Sequence, residues 1–72
     1  RSAHSKAQYL RIQAVHLAEA GQHEGAIELL DRLLAEFPDN VDIALGHAQR
    51  AKSLEKLGLI DAAIEEYRAA LQ

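Results

Sequence analysis

Seventy-two residues accommodate one small domain, and the absence of cysteine excludes both a disulfide and a thiolate metal site as its reinforcement. A net charge of −3, with acids and bases interspersed and only Tyr9, Phe37 and Tyr67 as aromatics, lacks the basic stripe and stacking platforms of a nucleic-acid surface. No apolar run approaches the ~18 residues of a membrane span, and no signal-peptide pattern is visible, so membrane insertion is not expected.

The cysteine-free composition fits the cytosol, with the periplasm as the alternative. The chain opens on Arg1 rather than methionine, so a fragment or processed product of a longer protein is expected. Residues 1–6 form a polar N-terminal extension. Ser5, followed three positions on by Gln8, fits a capping box and predicts a first helix from Ser5, or a turn earlier from Ser2, to about Ala20. Gly21 is then free to take the left-handed conformation beyond its end. Leu10, Ala14 and Leu17 fall at i, i+4 and i+7 and form a core stripe. Val15 lies to one side of that stripe and Ile12 almost opposite it, so this helix is expected to touch something on a second face.

The pattern predicts a second helix over about His23 to Glu36. Its apolar residues, Ala26, Ile27, Leu29, Leu30, Leu33, Leu34 and Phe37, cover close to half the circumference, as suits a helix between two neighbours. Glu28 and Arg32 are spaced to pair on the wet side. Phe37 precedes Pro38 and is expected to leave the helical region.

Asp39 reads as the N-cap of a third helix running to about Leu57, with Asp42 adding negative charge to the first turn. Ile43, Ala44, His47, Ala51 and Leu54 make its stripe. Gly46, inside the helix at a cost of about 1 kcal/mol relative to alanine, implies the close approach of another backbone. Gly58 closes this helix. A fourth runs from Ile60 to the end with the stripe Ile60, Ala63, Ile64, Tyr67, Ala70 and Leu71. The fold class expected is all-α, four antiparallel helices in two stacked hairpins.

The chain repeats itself. Gly21 is followed at a fixed interval by Ala26-Ile27-Glu28, and Gly58 by Ala63-Ile64-Glu65. The whole pattern resembles the tetratricopeptide repeat, whose signature is W-x2-L-G-x2-Y…A-x3-F…P. A first copy over residues 7–40 places Leu10, Gln13, Ala14, Leu17, Ala26, Leu30 and Pro38 at signature positions. A second over 41–72 places His47, Arg50, Ala51, Leu54, Ala63 and Tyr67.

Two departures stand out. Gln13 and Arg50 occupy a position normally apolar, so the hairpins splay there or those side chains lie along the surface. Gly21 and Gly58 are 37 residues apart, more than the family period, and the surplus is expected to lengthen the start of the third helix around Asn40–Ile43.

The resemblance implies a short α-solenoid that binds a peptide or protein segment in a concave groove lined by the first helix of each hairpin. Carried over position by position, the groove face is Gln8, Arg11, Val15, Ala18 and Glu19 with Leu45, Ala48, Lys52, Glu55 and Lys56. Arg11 and Lys52 would meet a carboxylate, and Val15, Leu45 and Ala48 would accept apolar side chains. The alternative is that these charges form only a solvated face. Some members of the family clamp a chaperone's C-terminal carboxylate with a lysine and an asparagine. Val15 stands where that asparagine belongs, which argues against this ligand here.

No catalytic, cofactor or metal chemistry is expected. His4, His16, His23 and His47 include no i, i+4 pair and no HExxH, and are expected to pack or to make a partly wet hydrogen bond. Ser5 and Ser53 lack a nucleophile elbow and an identifiable base. Glu65 and Glu66 read as helix surface. A competing role is homo-oligomerisation through the exposed ends, Ile12 on one side and Tyr67 and Leu71 on the other, with the same patch buried twice in a symmetric dimer.

Overall fold

The computed structural model describes residues 3–39 and 43–71. Four helices follow one another, α1 Ala3–Glu19, α2 His23–Glu36, α3 Ile43–Lys56 and α4 Ile60–Ala70, and no strand occurs among the described residues. α1 packs on α2 and α3 on α4. The two hairpins meet mainly through α2 and α3, with a lighter touch of α1 on α3. This is the all-α stack of hairpins that the sequence pattern predicts.

The two hairpin turns are built alike. Gly21 has φ 82° and Gly58 φ 84°, the left-handed conformation that a side chain disfavours. In the first turn the Gln22 amide donates to the Leu17 carbonyl at 2.8 Å and that of Gly21 to Ala18 at 3.0 Å. In the second, Leu59 donates to Leu54 at 2.9 Å and Gly58 to Glu55 at 3.0 Å. These paired bonds satisfy carbonyls that the helix ends would otherwise leave open. Gln22 and Leu59 then enter the next helix with nearly the same backbone angles, φ −93°, ψ 69° and φ −90°, ψ 68°, and neither makes a side-chain cap. The repeat in the sequence is therefore a repeat in backbone geometry.

The break after α2 follows from Pro38. Phe37 sits at φ −133°, ψ 56°, outside the helical region, while its amide still donates to the Leu33 carbonyl at 3.0 Å. α1 already includes Ala3 and ends at Glu19; Ser2 lies outside the described residues. Asn40 to Asp42 also lie outside them, so the capping expected of Asp39, the first-turn charge of Asp42 and the lengthened start of α3 all fall on that segment.

Ala7, Leu10, Ala14, Ala26, Leu30 and Leu33 form the buried cluster, with Leu17, Ala18, Leu29, Phe37 and Ile43 against it. Three alanines let the α1 and α2 backbones approach while the leucines fill the space beside them. The second hairpin buries Ala51, Leu54 and Ala63, together with Ser53. Of the α4 stripe only Ala63 is buried and Ala70 half-buried. Ile60, Ile64, Tyr67 and Leu71 are exposed, because no described element covers the outer side of α4. Ala44, expected in the α3 stripe, is exposed as well.

Three expectations need correction. A Cβ on Gly46 would lie 2.8 Å from Leu33 Cδ2, so the close neighbour of that glycine is a side chain of α2 and not a backbone. Arg32 Nε pairs with Glu36 at 3.5 Å rather than with Glu28; both groups are mostly exposed, so the pair contributes little. His16, expected to pack or to make a partly wet hydrogen bond, is exposed and does not pack.

Arg50, the charge at a normally apolar position, lies across its neighbours. Its Nε donates to Asp31 Oδ1 of α2 at 2.7 Å and its Nη1 pairs with Glu66 Oε1 of α4 at 3.2 Å. The second Glu66 oxygen meets His47 Nδ1 at 3.0 Å. Gln13, at the equivalent position of the first repeat, is half-buried.

Candidate interaction groove

The first helices of the two hairpins, α1 and α3, flank a cavity of about 270 Å³ whose floor is reached by Leu30 and His23 of α2. From α1 come Ala14, Val15, Ala18 and Glu19; from α3 come Gln49, Lys52, Ser53 and Lys56. Five of the ten groove residues expected from sequence, Val15, Ala18, Glu19, Lys52 and Lys56, are thus brought together. Gln8, Arg11, Leu45 and Ala48 stand outside this cavity, in the N-terminal halves of α1 and α3. Gln8 and Leu45 are exposed, and Arg11 and Ala48 half-buried.

Glu55 belongs to an adjoining depression with Lys52, Lys56 and Tyr67. There the Tyr67 hydroxyl donates to Glu55 Oε1 at 3.1 Å. Desolvation, and after it the hydrogen bond and charge of Glu55, push the Tyr67 phenol above its ordinary value. Tyr67, expected on the self-association end, therefore also borders the groove side. Ile12 and Leu71 remain on open faces, Leu71 at 88 % exposure.

The walls alternate in character. Val15, Ala18 and Leu30 supply apolar surface, and Glu19, Lys52 and Lys56 a mixed-charge rim. The other five lining residues were not expected in the groove: Ala14 and Leu30, read as core, and His23, Gln49 and Ser53. A signal for Ser53 exists, since Gly46 and Ser53 are two small residues seven positions apart and both are buried. A further hollow of about 510 Å³ lies between the start of α1 and the end of α2, bordered by Lys6, Tyr9, Arg32, Glu36 and Phe37. The sequence reading did not anticipate it.

Among the described residues no group of three or more His, Cys, Asp or Glu side chains is arranged to hold a metal ion. No helix among them is long and apolar enough to cross a membrane.

Paired helices joined by equivalent glycine turns, with a groove between the leading helix of each pair, define a helical-hairpin repeat protein. A family model described as tetratricopeptide repeat matches residues 17–72, well over half the chain. The protein belongs to the tetratricopeptide repeat family. No curated protein and no solved structure matches it. Repeats of this family generally mediate protein–protein interaction or scaffolding, and the family is typically non-catalytic.

Proposed function

We propose that the protein is a non-catalytic binding module, with repeats over 7–40 and 41–72, that holds a peptide or protein segment in the groove between α1 and α3. The observation that carries this reading is the cavity of about 270 Å³ between the two leading helices, apolar at its base and charged at its rim. Val15, Ala18 and Leu30 offer apolar surface against which the aliphatic part of a bound side chain packs. Arg11, Lys52 and Lys56 steer and orient its carboxylates, with Glu19 and Glu55 selecting against excess negative charge. Gln8, Leu45 and Ala48 extend the same face toward the N-terminal ends of α1 and α3.

Reversing two charges tests the groove. Arg11→Glu combined with Lys52→Glu is expected to weaken binding of the protein's partner by roughly tenfold, while Lys52→Glu alone, at an exposed position, leaves the melting temperature within a few degrees of the parent's. Unchanged affinity in the double variant, measured by calorimetry, places the ligand elsewhere.

A second reading is favoured by the outer side of α4, where Ile60, Ile64 and Leu71 are exposed together with Leu59. Apolar side chains gathered on one face mark an interaction surface, and a second copy of the chain would cover it, with Tyr67 at its margin and Ile12 offering a separate patch on α1. Sedimentation across a range of concentrations is expected to show self-association. A strict monomer at hundreds of micromolar removes this reading and leaves the groove untouched.

A further inference from the structure

Among the apolar residues that line the groove stand three polar side chains, His23, Gln49 and Ser53. Ser53 is 1 % exposed, and its Oγ finds no hydrogen-bond partner within the protein. Gln49 Oε1 and His23 Nδ1 are likewise buried and without a partner. All three side chains line the one cavity between α1 and α3. Gln49 and Ser53 stand one turn apart on α3, and His23 opens α2, so the polar groups come from two different walls. Buried polar atoms without a partner inside the protein are rare in folded structures, and each calls for a hydrogen-bonding group from outside it. Three of them at one hollow call for a ligand-based explanation.

We propose that this hollow is a subsite for a neutral carboxamide, the side chain of an asparagine or glutamine in the bound segment. The inference rests on the groove reading and names what one pocket of that groove takes. The Ser53 hydroxyl both donates and accepts, and the Gln49 amide presents an accepting oxygen and a donating nitrogen. A carboxamide carries one group of each kind, and it remains complementary if the Gln49 amide rotates and exchanges its oxygen for its nitrogen.

A carboxylate offers only acceptors, so it can meet Gln49 through the amide nitrogen alone and leaves the amide oxygen unpaired; an aliphatic side chain leaves all three atoms unsatisfied. A site built to hydrogen-bond a group rejects the analogue that lacks it far better than an apolar pocket rejects a misfit. Space is sufficient, since about 270 Å³ is many times the share of one water, ~30 Å³. All three residues line the cavity, and the Ser53 Cα–Cβ bond and the terminal torsions of Gln49 and His23 are the rotations by which these atoms could reach a ligand.

Small probes test the subsite directly. The 72-residue chain is titrated with propionamide, with butanone as the matching ketone that only accepts, and with propionate, while the NMR signals of His23, Gln49 and Ser53 are followed. Propionamide is expected to give saturable shifts at these residues with affinity at least about fivefold above either control. Ser53→Ala and Gln49→Leu are each expected to remove about fivefold of that affinity, with melting temperatures at or above the parent's because an unbonded buried group has gone. Equal binding of amide and ketone, or no saturable shift, overturns the proposal. So does a melting temperature that falls by several degrees in Ser53→Ala, since the hydroxyl would then be bonded inside the protein. If a peptide binds the parent and is lost in Lys52→Glu while propionamide does not bind, the subsite falls and the groove stands.

Discussion

Leu30→Ala is expected to cost roughly 2–5 kcal/mol, enough to unfold most of the molecule. Leu30 is 1 % exposed and sits in the buried cluster with Ala7, Leu10, Ala14, Ala26 and Leu33, against which Leu17, Leu29, Phe37 and Ile43 pack from outside. Three of its neighbours are alanines, which have no atoms to extend into the space that truncation would leave. The cavity therefore stays open, which puts the cost toward the upper part of the range. A single small core leaves a surplus of only about 3–5 kcal/mol to lose. Thermal melting followed by far-ultraviolet circular dichroism reads the result directly. A transition that barely moves would mean that Leu30 does not sit in the core and that α2 is turned the wrong way.

Gly46→Val is the second large effect, a loss of about 1–3 kcal/mol by overpacking. Glycine inside a helix is itself unfavourable by about 1 kcal/mol relative to alanine, so any side chain there starts with an advantage. That advantage is offset because the added Cβ would come 2.8 Å from Leu33 Cδ2. Leu33 is 0 % exposed and has nowhere to swing. The two branches of valine then force α2 and α3 apart at the joint between the hairpins, and Gly46→Ala loses less than Gly46→Val. Denaturant titration of the three proteins checks the order. A valine variant more stable than the parent would place α2 and α3 farther apart than they are here.

What the sequence made legible was whatever acts locally. Gly21, Gly58 and Pro38 each fix the backbone within a residue or two of themselves, so the bounds of α2 and the start of α4 could be read from them. The leucine and alanine stripe of the first hairpin could be read from spacing alone. Other features depend on which side chain wins a three-dimensional competition. Arg32 has Glu28 four residues before it and Glu36 four after, and spacing cannot choose between them. Gly46 signalled a close approach without saying that a leucine side chain, not a backbone, fills the space.

Arg50 looked like a misfit because Asp31 and Glu66, which receive it, belong to other helices. On the groove, the positions carried over by the family pattern found Val15, Ala18, Glu19, Lys52 and Lys56. The pattern was silent on Gln49 and Ser53, which lie at positions the signature leaves free, and it marked His23 for packing rather than for the groove.

The bridge from Asp31 through Arg50 to Glu66 and His47 has a mechanical consequence. α2 and α4 do not pack on one another, yet this guanidinium braces them across α3. Apolar contact between α2 and α3 is not weakened by charge screening, whereas the link from Arg50 to Asp31, whose carboxylate is half exposed, is. The hinge between the hairpins thus has one fixed seam and one strut that added salt slackens. Since the two banks of the groove belong to different hairpins, its width is the dimension that yields first.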